Sequence, residues 1–429
     1  LRNKHQAHSI AKVPRSPERH SAKDTSSLSG TNIEDAHLHN QKVVLETVRI
    51  YGPLSRPEIS KRTALSAQTI SNIVDKLIER GTLETRGLRS GRRGQPATEL
   101  DINPQGGYAV GLHLDRDHLT GVLLDLAGNA LQIAHHEWSF PSPSEALPRL
   151  AQTVRTLTQN QGLGLIDLWG VGVGLPGPLD FLGGSLINPP NFSGWNGVSV
   201  RSLLSAELGL SVFLETDATA AAVGERWFGR GREQHDYFYV FFGVGLGGGI
   251  ILDGKPYRGG FDNAAMFGHL PVEPNGLACA CGGIGCLELY VSLASLYAAL
   301  EAEGRHVNHV GELTELLARE DAALMAWLEQ AAEKMTRAVV IIENLLNPKA
   351  VIFGGRLPAP LLDWLINRLE EQLPVLQMRA LPHHPHLLRA QALDNAAALG
   401  AATLPLFEMF TPGHKALAKT GVFSTPLAH

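Results

Sequence analysis

His269-Leu-Pro-Val-Glu-Pro-Asn-Gly-Leu-Ala-Cys279-Ala-Cys281-Gly-Gly-Ile-Gly-Cys286 is the most specific stretch of this chain. It holds all three cysteines of a 429-residue sequence and sets one imidazole ahead of three thiols. An odd number of cysteines packed so closely is a poor disulfide framework and a good metal candidate. One imidazole and three thiolates complete a tetrahedral Zn2+ and leave no position open for substrate. His269, Cys279, Cys281 and Cys286 are therefore expected to hold a structural zinc. The alternative is three reduced core cysteines beside an unrelated histidine.

Outward from this stretch the texture is α/β. Residues 108–114, 119–126 and 170–175 read as strands, with helices at 145–158 and 200–208. A second set has strands at 237–242, 249–252 and 350–353 and helices near 289–303 and 321–346. Two similar α/β halves imply two lobes with a cleft between them. The run Gly243-Val-Gly-Leu-Gly-Gly-Gly249 follows a strand, and its glycines let backbone N–H groups approach a phosphate; glycine-rich hairpins also arise for packing reasons. Gly174-Leu-Pro-Gly-Pro178 is equally open. Asp217 follows a strand and opens a helix, a context that fits an N-cap as well as a catalytic base. The Pro-flanked His383, His384 and His386 read as a solvent-exposed loop, and His135-His136 as part of a strand.

The N-terminal quarter differs in charge and pattern. Residues 35–100 carry eleven Lys and Arg against seven Asp and Glu, although the whole chain stands at −5. A basic front end on an acidic body is suited to meet a polyanion. Residues 1–34 have few apolar positions and read as a disordered tail. Leu38, Val43, Val44, Val48 and Ile50 recur at helical spacing and stop before Gly52-Pro53. Ser55-Arg-Pro-Glu58 is a capping box that opens a short second helix. A third helix carries Ile70, Ile73, Val74, Leu77 and Ile78 on one face and ends at Gly81. Strands at 83–86 and 97–102 then flank a basic, Gly-rich turn.

Three helices and a basic hairpin are the layout of a winged helix-turn-helix. In that layout Ser66, Gln68, Thr69, Ser71 and Asn72 of the third helix face the major groove, and Arg92 and Arg93 of the wing meet phosphates or a narrow minor groove. A small helical domain with a solvated polar face is the plainer alternative.

Together these segments resemble the ROK family of repressors, open reading frames and sugar kinases. The resemblance runs from Tyr108 to about Leu404. Its motifs are Gly174-Leu-Pro-Gly-Pro178, Glu215-Thr-Asp-Ala, residues 243–249, Gly268-His269, the cysteine run ending Cys286-Leu-Glu288, and Asn347-Pro-Lys-Ala-Val-Ile-Phe-Gly-Gly355. It implies an actin/hexokinase-like ATPase fold of two lobes with a structural zinc, usually in a dimer, and its repressor branch adds an N-terminal winged helix. The organisation so implied is a winged helix-turn-helix at 35–103, a first lobe at 104–217 to which a helix at 391–410 returns, a second lobe with the zinc at 218–390, and a tail at 411–429.

Carried over from the resemblance, Asn191, Asp217, His269 and Glu288 would line a sugar cleft, with His269 holding zinc through its other nitrogen. Thr216 and Met266 stand where the family pattern has Asn and Glu, which removes two hydroxyl-binding groups. In kinases of the family the first strand ends in Asp, followed by Gly-Gly-Thr-Lys. Here His113 stands for that Asp and Asp115-Arg-Asp-His118 for the phosphate loop. Side chains where backbone must approach ATP, and added carboxylates beside a polyanion, argue against phosphoryl transfer, so no catalytic residue is assigned.

The sequence reading is thus a dimeric repressor that binds operator DNA and answers to a sugar. An active kinase with a DNA-binding appendage and a regulator gated by a protein partner are the alternatives. No run approaches the ~18 apolar residues of a membrane span, and no secretory signal precedes the first helix, so the cytoplasm is the expected compartment.

Overall fold

The computed structural model describes residues 33–89, 97–190, 192–307, 309–392 and 395–410. Among the described residues, 42–410 belong to one compact unit. Helix α1 (Ile33–Tyr51) is the first described element and begins inside the segment expected to be tail. The two expected tails otherwise lie outside the described residues.

After α1 come β1 (Leu54–Ser55), α2 (Arg56–Thr63), α3 (Ala67–Glu79), β2 (Leu83–Arg89) and β3 (Ala97–Ile102). The capping box forms as its spacing requires: Ser55 N and Oγ both donate to Glu58 Oε2, at 2.8 and 2.7 Å. The α2–α3 link is as short as a left-handed Ala64 at φ 56° permits. Ser66 caps α3 by accepting from Thr69 N at 3.2 Å. Ile70, Ile73, Val74 and Leu77 turn inward with Val44, Val48 and Ile59. The sheet order is β1-β3-β2, so β3 pairs on both sides; the two-residue β1 is too short to be read from periodicity.

The next stretch contains β4 (Tyr108–Leu114), β5 (His118–Asp125), β6 (Ala130–Glu137), α4 (Pro143–Gln159), β7 (Leu168–Leu175), the short pair β8 (Leu179–Asp180) and β9 (Ser185–Leu186), α5 (Val200–Leu208), β10 (Val212–Thr216) and α6 (Asp217–Phe228). Its sheet runs β10-β7-β4-β5-β6, with β10, β7 and β4 parallel and β5 and β6 returning as antiparallel neighbours. β5 is buried along its whole length, whereas β6 at the edge is mostly exposed.

The last stretch holds β11 (Tyr237–Phe242), β12 (Leu246–Leu252), β13 (Lys255–Pro256), α7 (Glu288–Val291), α8 (Leu293–Ala302), α9 (Gly311–Ala318), α10 (Ala322–Leu346), β14 (Ala350–Gly355), α11 (Ala359–Leu376), β15 (His386–Arg389) and α12 (Ala396–Phe410). The second five-stranded sheet is ordered β13-β12-β11-β14-β15. The helix expected near 289–303 is broken at Ser292, which caps α8 through Ser295 N at 3.1 Å. His386 belongs to β15 rather than a loop, and His384 Nδ1 meets the buried Glu343 carboxylate.

Small residues decide how α6 and α12 lie against the first sheet. A Cβ on Gly111 of β4 would fall 2.0 Å from Ala398 O, and one on Gly172 of β7 1.8 Å from Ala401 O. Glycine at both places lets the alanine-rich α12 press its backbone onto the strands. α12 meets α6 in the same way: a Cβ on Gly400 would fall 1.7 Å from Ala220 O. The buried Glu225 of α6 then fastens the chain entering α12, accepting from Gln391 N at 2.9 Å, Ala392 N at 3.0 Å and Arg230 N at 2.6 Å. Three backbone donors satisfy a carboxylate that would otherwise be costly to bury.

Candidate effector cavity and metal cluster

The ends of β10, β11 and α7 meet at a cavity lined by Asp115, Arg116, Asp217, Met266, His269 and Glu288, among others. Three of the four residues suggested for effector contact therefore share one cavity; Asn191 lies outside the described residues. Asp217 is the first residue of α6, and the capping role falls to Thr216, whose Oγ1 accepts from Thr219 N at 3.4 Å. Asp217 is thus free of capping work and accepts only Ala218 N, at 2.6 Å, among the bonds resolved for it. Burial, then the neighbouring Asp115 carboxylate, push its carboxyl up to about 7. Met266 brings a thioether to the wall, and its Cε lies 3.0 Å from where a Cβ on Gly177 would stand.

The start of the glycine-rich run, residues 243–245, is the turn between β11 and β12, closed by Gly243 N donating to Gly245 O at 3.0 Å, and its remainder belongs to β12. A Cβ on Gly245 would stand 2.9 Å from Arg116 Nη2 and 2.8 Å from Glu288 Oε2. The guanidinium of Arg116 thus lies over the turn, tied back to Asp115 Oδ1 at 3.3 Å. The β4–β5 turn that carries Asp115 and Arg116 is itself braced by Arg356, which reaches Asp117, His118 Nδ1 at 3.1 Å and Glu137 Oε1 at 3.2 Å. Sequence spacing gives no sign of Arg356, which comes from the far end of β14.

Beside the cavity, His269, Cys279, Cys281 and Cys286 offer ligand atoms all within 4.8 Å of one another. Cys279 Sγ is 3.7 Å from His269 Nδ1, and Cys281 Sγ 3.6 Å from Cys286 Sγ. Tetrahedral zinc with metal–sulfur bonds of about 2.3 Å sets its ligand atoms roughly 3.5–3.8 Å apart, so the cluster can bind a metal of that size. The loop is shaped for it. Gly285 adopts φ 68°, and a Cβ there would collide with Glu273 O at 1.7 Å, while Gly283 N donates to Cys281 Sγ at 3.4 Å.

The expected DNA-facing residues fall on and just before α3. Gln68 and Asn72 are exposed and bonded to each other, Gln68 Nε2 to Asn72 Oδ1 at 3.0 Å. Ser66 and Thr69 share a hydroxyl contact at 2.8 Å at the helix start. Ser71 is half-buried and receives Arg56 Nη1 at 2.8 Å, while Arg56 Nη2 reaches Asp75 at 2.6 Å. Its hydroxyl braces α2 against α3, a use the sequence reading missed. Arg92 and Arg93 lie outside the described residues.

The ROK family model matches residues 109–406. The chain belongs to the ROK family. Among its relatives is a xylose repressor of Caldicellulosiruptor bescii, 29% identical over 87% of this chain and 96% of the relative. The glucokinase of Thermotoga maritima is 30% identical over 61% of this chain and 84% of its own length. A solved ROK transcriptional regulator, described as a homologue of the Escherichia coli MLC protein, shares the fold over 88% of this chain and 98% of its own, at a TM-score of 0.74 and 23% identity. The α/β body is the actin/hexokinase-like fold of ROK proteins.

Proposed function

We propose that this ROK protein is a transcriptional repressor of carbohydrate genes whose operator affinity is set by a sugar in the cavity. The observation that carries the reading is the placement of α6. Its first residue, Asp217, lines the cavity, and near its last turn the Trp227 ring lies 4.1 Å beneath the guanidinium of Arg49 in α1. Arg49 is held in place by a two-pronged bond to Glu46, 2.7 Å at each contact. A shift of α6 on filling the cavity is therefore felt at α1, which packs with α2 and α3, the reading head of a winged helix-turn-helix spanning residues 35–103. Relatives named xylose repressor and N-acetylglucosamine repressor support the same reading.

In this reading Gln68 and Asn72 touch base edges, Ser66 and Thr69 sit at phosphates, and Arg92 and Arg93 extend the contact from the wing. Residues 104–217 and 218–390 are the two lobes of the body, and the chain works as a dimer on a two-fold operator. Asp217 and Glu288 accept sugar hydroxyls, and the family resemblance adds Asn191 to them. His269, Cys279, Cys281 and Cys286 hold a zinc that fixes the loop carrying His269 and Glu288 into the wall; a closed four-ligand site adds no chemistry of its own. Phosphoryl transfer is disfavoured because Arg116 covers the glycine turn and Asp115 and Asp217 face the space a polyphosphate would need.

The test is operator affinity, by fluorescence anisotropy on DNA selected from random sequence, with and without D-xylose, D-glucose or N-acetyl-D-glucosamine. Release of DNA by one of these sugars is expected. Sequence-specific binding that no sugar alters would overturn the sugar-gated reading in favour of a protein partner.

A further inference from the structure

Beneath the cavity floor lie His113, His118 and Asp117, groups that neither the zinc cluster nor the sugar reading uses. His113 of β4 is buried, and its Nε2 has no hydrogen-bond partner. Its other nitrogen, Nδ1, lies 3.1 Å from His118 Nε2, and His118 Nδ1 lies 2.6 Å from Asp117 Oδ1. A carboxylate only accepts, so the short contact places the proton on His118 Nδ1. His118 Nε2 then accepts from His113 Nδ1–H, and the unpartnered Nε2 of His113 is left with a bare lone pair. Arg356, also 3.1 Å from His118 Nδ1, has the Asp117 carboxylate as its own acceptor. A carboxylate that fixes the tautomer of an imidazole relay is the arrangement found behind metal-ligating histidines.

Two carboxylates lie close to this imidazole. His113, Asp115 and Asp217 offer ligand atoms all within 4.8 Å of one another. One oxygen of each carboxylate is held by a backbone N–H: Arg116 N donates to Asp115 Oδ1 at 2.7 Å and Ala218 N to Asp217 Oδ1 at 2.6 Å. Their Oδ2 atoms remain as ligands. Two carboxylates this close repel one another, and a single guanidinium, Arg116 on Asp115, offsets only part of that charge.

We propose that His113, Asp115 and Asp217 form a second metal site, for a borderline divalent cation such as Mn2+ or Zn2+, distinct from the cysteine cluster. One imidazole and two carboxylates suit such an ion, and a thiolate-free set sorts it from the cysteine site. Asp115 and Asp217 line the cavity, so the ion keeps open positions on that side for water or for a pair of hydroxyl oxygens. The site stands whether or not a sugar binds.

The full chain, supplied with one equivalent of zinc so that the thiolates are filled first, is titrated with Mn2+ without sugar, and the free ion is followed by electron paramagnetic resonance. One bound Mn2+ per chain is expected. Asp115→Asn and Asp217→Asn, which keep shape and remove charge, should each weaken binding at least tenfold, and so should His113→Gln, with zinc content unchanged. Wild-type chain that leaves millimolar Mn2+ free, or folded Asp115→Asn and Asp217→Asn proteins that bind it as wild type does, would overturn the site. Neither result depends on operator release.

Discussion

Gly400→Ala is the most demanding test of the packing that seats α6, the helix opening at Asp217, against α12. A Cβ at this position would stand 1.7 Å from Ala220 O, 2.6 Å from Ala220 C and 2.7 Å from Gly224 N. All three are backbone atoms of α6, so no side chain can swing aside. Carbon and oxygen settle at roughly 3.2 Å or more, which requires α12 and α6 to part by about 1.5 Å. Inserting a methyl group into a close-packed contact typically costs about 1–3 kcal/mol, and the rigid partner places this case at the upper end. Replacing helical glycine by alanine returns about 1 kcal/mol of propensity. The net loss should be about 2 kcal/mol, read as a lowered urea midpoint. Gly260→Ala is the control, because a Cβ there meets nothing within 4 Å; its effect should stay within about 0.5 kcal/mol. A Gly400→Ala protein as stable as that control would refute the close contact of α12 with α6.

Purified chain should hold one zinc at the cysteine cluster, and Cys286→Ser should release it and lower stability; metal-free, fully folded protein by elemental analysis would count against that site. Gln68→Ala and Asn72→Ala should change base preference in a selection experiment, whereas removal of residues 1–103 should abolish operator binding in a mobility-shift assay. Arg49→Met should shrink the ratio of operator affinities with and without the effective sugar about fivefold, the worth of a partly desolvated cation–π contact near 1 kcal/mol; an unchanged ratio by anisotropy removes α6 from the mechanism. ATP consumption with hexoses, hexosamines and pentoses should stay far below the roughly 1–100 per second of a working kinase.

Much of this architecture was legible because it is written locally. The Ser55–Glu58 box, the α3 stripe and the alternation of apolar strands with glycine turns are short-range patterns, and each forms as spacing dictates. The cysteine loop is local too: four groups that could hold a metal fall within eighteen residues of chain and lie within 4.8 Å of one another. Illegible features have a common cause: their partners are far apart in sequence or too small to show a period. The strand reading of His135-His136 is met in β6, although its alternation is weak because most of this edge strand faces solvent. α12 has no amphipathic stripe to read, since its alanines and Gly400 face sheet and α6 together. Arg356 on Asp117, Arg49 on Trp227 and Glu225 on Gln391 and Ala392 are long-range pairs that the three-dimensional fold creates. His113 was legible as a departure from a motif, but its relay through His118 to Asp117 was not.

That departure also bears on what the cavity can accept. A phosphate chain needs backbone donors with open approach and positive charge around them. Here the glycine turn lies under Arg116, whose charge is already engaged by Asp115, while Asp115, Asp217 and Glu288 all face the space. An added polyanion would meet three carboxylates for one guanidinium. A neutral polyol meets the same groups as acceptors for its hydroxyls, and a divalent cation meets them as ligands. In the proposed reading, the side chains of the β4–β5 turn therefore favour a polyol or a cation over a polyanion. The helix that opens at Asp217 still carries Trp227 at its far end, so on that reading occupancy of the cavity is reported to Arg49 without any bond being made or broken.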